Sequence, residues 1–201
     1  MSSERDRTKR SSGTARVARG SPMADDHVFV IEQERKEKDY WFRESHESPI
    51  PHELRHTFKG LMYYPVDPNL RFRVRLTVLP KQEVLTFATS KGTEQQYYRH
   101  GYFEFPVEGK TVQLHAYKPV HTHDGREFLF VPFRDATSGK ETYGAGRYLD
   151  LEPQPSGEYD LDFNKAYNPY CAYSDDYVCP LPPVENWLPV PIHAGEKTWK
   201  P

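Results

Sequence analysis

Few residue sets in this chain have types and spacing that could do chemistry, and the sharpest is His52-Glu53-Leu54-Arg55-His56. It matches H-E-x-x-H, in which two histidines one helical turn apart hold zinc and the glutamate acts as base for metal-assisted hydrolysis. Three details weaken it. Pro49 and Pro51 stand directly ahead, so a helix can begin only at the motif, and Arg55 puts a charge where such helices carry apolar residues. The long form of the motif also needs a glycine and a third histidine where this chain has Lys59 and Met62. A zinc-dependent hydrolase using His52, Glu53 and His56 is therefore an alternative, and an exposed polar helical turn is the plainer reading.

Other polar sets are read the same way. Period-two alternation puts His121 and His123 on one face, with His115 on the strand before, a geometry that can hold a metal on a sheet. The run ends in Asp124-Gly125, a hairpin signal, so solvated histidines beside a turn are preferred and no metal is assigned. Cys171 and Cys179 are spaced unlike the C-x-x-C of redox couples and zinc knuckles. The spacing would permit a bridge; in a reducing compartment the preferred role is that of small buried residues anchoring a loop.

Arg147 carries the main expectation. In Tyr143-Gly144-Ala145-Gly146-Arg147-Tyr148-Leu149-Asp150 the G-x-G is a weak phosphate signal, because no helix follows to lend its N-terminus. Alternation sets Arg147 on the face of Leu149 and Leu151. An arginine on an apolar face must be paired or must meet an anion, since burying it alone would cost several kcal/mol. Asp162 and Glu185 are the expected protein partners, with a ligand carboxylate or phosphate as the other possibility.

The elements that must position these residues are mainly strands. The chain has 201 residues and 23.5 kDa, the size of one domain with a tail. Aromatic residues reach 14% against 36% apolar overall, which predicts an aromatic core and favours strands. Residues 1–24 hold six Lys or Arg against two acids, a net +4 that leaves −6 on the remainder of a chain totalling −2. The start is read as a disordered basic tail, and residues 25–201 as a single β-rich domain. A basic stripe on a folded element is lacking, so no nucleic-acid partner is expected. The absence of a secretory or membrane-spanning apolar run predicts a cytoplasmic protein without a membrane partner.

One helix is predicted, starting after Asp25 or Asp26 and running to Ser45, with Glu32–Lys36 and Glu34–Lys38 as i,i+4 pairs. A short helical turn, His52 to Thr57, follows. From Leu70 to Val78 the period changes to two, and further strands are read at 84–89, 96–105, 111–117, 127–133, 146–151 and 158–163. Strands this closely spaced leave no room for parallel crossovers, so an antiparallel meander curled into a barrel or sandwich is expected. Phe128 to Phe133, apolar on both faces, would be central. Leu161 to Glu196 carries both cysteines and Pro169, Pro180, Pro182, Pro183, Pro189 and Pro191. Such a segment cannot make a continuous ladder or helix and must be held by side-chain bonds, as a long C-terminal wrap across one opening.

The chain resembles the family known as domain of unknown function 1684, found in bacteria and archaea. The pieces that carry the likeness are Lys38-Asp39 with Phe42, Ser48-Pro49, Phe58-Lys59-Gly60-Leu61 with Tyr64-Pro65, and Thr142-Tyr143 with Gly146-Arg147-Tyr148-Leu149. To these are added LDFNKAYNPYCAY, CPLPPVEN and AGE, and the match runs from about Val28 to Glu196. The resemblance implies no activity. It does imply that Arg147, Asp162, Asn164, Tyr167, Asn168, Cys171, Cys179, Glu185, Asn186 and Glu196 are signature residues, and it leaves His52 and His56 outside.

Together these readings predict binding of a small anionic metabolite, with turnover left open, in a pocket between the sheet and the C-terminal segment. Arg147, Asp162, Asn164, Tyr167, Asn168, Glu185 and Asn186 would line it, while Cys171, Cys179 and Glu196 anchor the loop. The alternatives are the zinc hydrolase and a protein-interaction module presenting the proline-rich surface. No cofactor and no oligomeric state are assigned.

Overall fold

The computed structural model describes residues 22–121, 125 and 127–200. Its regular elements are helix α1 (Pro22–Glu44), the single turn α2 (His52–Arg55) and eight strands, joined by three-residue 3-10 turns. The strands are β1 (Arg71–Arg75), β2 (Thr77–Val78), β3 (Val84–Ala88), β4 (Glu94–Val107), β5 (Lys110–Pro119), β6 (Leu129–Phe133), β7 (Arg147–Leu151) and β8 (Glu158–Asp162). Helix α1 begins ahead of the expected Asp25 or Asp26 cap. Proline stands at its first position, where the missing N–H would have had no helical partner.

All strand pairings are antiparallel. A larger sheet runs in the order β2-β4-β5-β6-β7 with β3 also on β4, and a two-stranded sheet pairs β1 with β8. No closed barrel forms among the described residues. The run from Leu70 to Val78, expected as one strand, divides at Leu76, whose amide donates to the Gly157 carbonyl; β1 serves one sheet and β2 the other. The β4–β5 turn has the expected chemistry. Val107 pairs with Lys110, and both residues between them, Glu108 and Gly109, have positive φ, as a tight type I′ hairpin requires.

Strand β6 is buried along its whole length because each face meets its own cluster. Leu129, Val131 and Phe133 join Phe103, Phe105, Leu114 and Phe163 in the main core, and Phe130 joins Phe87, Tyr97, Tyr117 and Tyr148 on the other side. The C-terminal segment completes the main core with Leu188, Val190, Ile192 and Ala194, alternate residues of an extended chain. Helix α1 packs at the edge through Ile31 and Phe42, each 1% exposed. No helix of the described residues is long and apolar enough to cross a membrane.

Candidate functional site

Arg147 begins β7 and is fully buried, with its guanidinium over the Phe133 ring at 5.2 Å. It donates to the carbonyls of Ile192 at 2.9 Å, Ala194, and Glu196 at 3.2 Å. These are alternate residues of one short segment, and one planar fork collects all three carbonyls. Its carboxylate partner is Asp135 at 3.4 Å, in place of the expected Asp162 or Glu185. Burial pulls the Arg147 pKa down while Asp135 opposes that shift. Asp135 also accepts from the Ile192 amide at 2.6 Å, so the pair clasps the C-terminal segment from two sides.

The other polar residues of the signature do related work. Asn186 lies between β5 and β6, taking the His115 amide at 2.8 Å and donating to the carbonyls of His115 at 2.9 Å and Pro132 at 2.7 Å. Those strands share only the Tyr117–Phe130 register pair, and the Asn186 amide stands in for the missing ladder. Asn164 exchanges bonds with the backbone of Asp67 at 2.8 Å and donates to Asp162, which also holds His27 of α1 at 2.7 Å. Glu196, 1% exposed, receives Lys38 at 2.5 Å, the Asn168 amide at 2.8 Å and the Tyr173 hydroxyl at 2.6 Å. Lys38 thus meets Glu196 rather than Glu34, which pairs with Lys165. The neighbouring Gly195 has φ +74, and a Cβ there would sit 2.5 Å from the Ala166 carbonyl. Glu185 pairs with Arg99 at 2.7 Å and Tyr117 at 3.1 Å; burial would raise its pKa, but the Arg99 bond and charge outweigh it and leave it lowered.

The cleft beside these residues lies on the opposite face of β7. Tyr148 and Asp150, one residue out of phase with Arg147 and Leu149, line it. Helix α1 supplies Glu34, Glu37, Lys38 and Trp41, which i, i+3, i+4, i+7 spacing gathers on one face. Tyr167, Pro169, Tyr170, Tyr177, Val178 and Cys179 form the remaining wall around about 740 Å³. The Tyr167 hydroxyl donates to Asp150 at 2.6 Å, and burial followed by the Asp150 charge raises its pKa well above the ordinary tyrosine value. The Lys38 amine stands over the Tyr167 ring at 5.1 Å.

Of the expected ligand residues, only Tyr167 lines this cleft; Arg147, Asp162, Asn164, Asn168, Glu185 and Asn186 do not. Lys38, Trp41, Tyr148, Asp150, Tyr170 and Tyr177 were not anticipated, although the helical spacing and the alternate phase of β7 were both present in the sequence.

Both cysteines are free, Cys171 half-buried and Cys179 buried, and the Cys171 amide donates to the Cys179 sulfur at 3.3 Å. His52, Glu53 and His56 sit on or beside the exposed turn α2, which has no buried residue. Among the described residues no group of three or more His, Cys, Asp and Glu could hold a metal ion. Thr122, His123 and Asp124 lie outside the described residues. In the proline-rich surface Pro182 is buried, Pro180 and Pro183 are half-buried and Pro189 is exposed.

A family model described as "Protein of unknown function (DUF1684)" matches residues 56–197. A solution NMR structure of an uncharacterized protein of Haloarcula marismortui is 40% identical, covering 88% of this chain and 96% of its own, with a TM-score of 0.66. The search of curated proteins finds no match.

Proposed function

We propose, for a chain that belongs to the DUF1684 family and takes no activity from that membership, that it binds a small organic molecule in the cleft between α1, β7 and the C-terminal segment. The supporting observation is an open, ring-lined space of about 740 Å³ with acids at its rim. Sites for small molecules are commonly concave, mostly apolar and of this size.

The lining charges set the class of ligand. The anionic expectation rested on Arg147, which is fully buried in the core with both terminal nitrogens taken up by Asp135 and three carbonyls. The cation in the lining, Lys38, serves Glu196; the lining also holds three carboxylates, Glu34, which pairs with Lys165, Asp150, which accepts from Tyr167, and Glu37, so its charge is net acidic. Aromatic faces beside carboxylates favour a ligand with a flat or apolar body and an amine head, held by ring contact and charge together.

The reading is tested with two probes, tyramine and benzoate, followed by amide NMR on the full chain. Tyramine is expected to shift the amides of Tyr148, Tyr167 and Val178, and Asp150→Asn to weaken it severalfold. A fragment screen that moves no cleft amide would remove the binding site. A preference for benzoate would overturn the assignment of ligand charge.

A further inference from the structure

We propose that Cys171 and Cys179 form a dithiol that reacts with hydroperoxides, with Cys171 attacking and Cys179 resolving. The reaction needs no ligand in the cleft, although Cys179 is part of the cleft wall. Cys171 lies on the 3-10 turn Tyr170–Ala172 and is half-buried, the less buried of the two. Cys179 is buried and pinned to the β3–β4 connection: its amide donates to the Ser90 hydroxyl at 3.1 Å and its carbonyl accepts the Ser90 amide at 2.9 Å. Two neighbouring cysteines, the less buried one beside one held by its backbone, have the order an attacking and a resolving thiol require.

The surroundings prepare the pair. The Tyr143 hydroxyl donates to the Cys171 sulfur at 3.7 Å, and the Cys171 amide donates to the Cys179 sulfur at 3.3 Å, which sets the two side chains next to each other. Donation from Cys179, then Tyr143 and Ser90, favours the Cys171 thiolate against its burial and lowers it to about 6, while sharing that proton holds Cys179 up. The groups that favour the thiolate are O–H, S–H and N–H donors. Asp175 and Asp176 are exposed within the same short loop, so a neutral hydroperoxide is favoured over an anionic disulfide such as oxidised glutathione.

The electrons balance in two steps. The Cys171 thiolate attacks one peroxide oxygen, the O–O bond breaks, and the departing oxygen takes a proton, leaving a sulfenic acid. The Cys179 sulfur then attacks the Cys171 sulfur, the S–O bond breaks, and hydroxide leaves as water with the Cys179 proton. Two thiols and one hydroperoxide become one disulfide, one alcohol (water when the oxidant is hydrogen peroxide) and one water, the pair having given up two electrons.

The test treats the reduced full chain with stoichiometric hydrogen peroxide and maps its peptides by mass. Expected are an intramolecular Cys171–Cys179 disulfide in the wild type and a dimedone-trapped sulfenic acid at Cys171 in Cys179→Ser. At pH 7, iodoacetamide should label Cys171 at least about tenfold faster than Cys179 in the unmutated chain, a readout that no variant's folding can confound. Two surviving thiols, disulfides only between chains, or a Cys179 that oxidises as fast in Cys171→Ser as Cys171 does in the wild type would each overturn the proposal.

Discussion

Replacing Arg147 by methionine tests the clasp that holds the C-terminal segment. Asp135 has no side-chain exposure, so the substitution strands a buried carboxylate, and breaking a buried pair from one side costs about 3–5 kcal/mol. The carbonyls of Ile192, Ala194 and Glu196 lose their shared donor, adding about 1–3 kcal/mol for those that water cannot reach. Methionine packed along Phe133 returns about 1–2 kcal/mol of apolar burial. The net, about 4 kcal/mol, is a large share of the 5–15 kcal/mol typical of a domain. Urea unfolding followed by far-UV circular dichroism and by tryptophan fluorescence reads it, since Trp187 lies in the segment and Trp199 directly after it. Lysine keeps the charge but offers one nitrogen to acceptors that a planar fork had gathered, so Arg147→Lys should lose about 2–3 kcal/mol and remain measurable if the methionine variant does not fold. A methionine variant within about 1 kcal/mol of the wild type would refute the clasp.

Three further outcomes follow from the same contacts. Asn186→Ala leaves the His115 amide and two carbonyls without their partner and should cost about 2–4 kcal/mol, with faster hydrogen exchange at His115 as the local readout. Burial raises the pKa of Tyr63, Tyr117, Tyr148, Tyr167 and Tyr173. Their neutral forms stabilise the fold fully below pH ~10, and each removes about 1.4 kcal/mol per pH unit above it, as the unfolded chain releases protons that the folded chain keeps. The tyrosinate absorbance of these buried residues should therefore rise together with unfolding rather than before it, on top of that of exposed residues such as Tyr40. His52→Ala and Glu53→Gln, on the exposed turn α2, should change stability by no more than about 0.5 kcal/mol, and the unmutated chain should not retain zinc through dialysis.

Sequence periodicity was most legible where a side chain has one neighbour on each side. Alternation located the strands of the meander, and the two-faced apolar run marked β6 as interior. It did not show that the run from Leu70 changes sheets, because that depends on which strand pairs with each half: β8 with β1 and β4 with β2. Nor did it supply the partner of Arg147. Asp135 lies on the loop after β6, and nothing local relates it to a residue twelve positions later.

The phase of β7 explains why a polar signature pointed beside the cleft and not into it. Arg147 and Leu149 share one face while Tyr148 and Asp150 share the other, so placing the arginine on the apolar face also turned it away from the cleft. A proline-rich segment forfeits ladder donors, and buried carbonyls must then be met by side chains. Arg147, Asn164, Asn168 and Asn186 each donate to backbone carbonyls far away in sequence, which is the part a neighbouring strand would otherwise play. Clustered buried polar residues arise from such architecture as readily as from ligand recognition, and what separates the two is whether their donors are already consumed. By that criterion Asn186 belongs to the scaffold, and so do the two terminal nitrogens of Arg147, which are spent on Asp135 and the C-terminal carbonyls. The proposed recognition would rest on Trp41, Asp150 and the tyrosines of the opposite face.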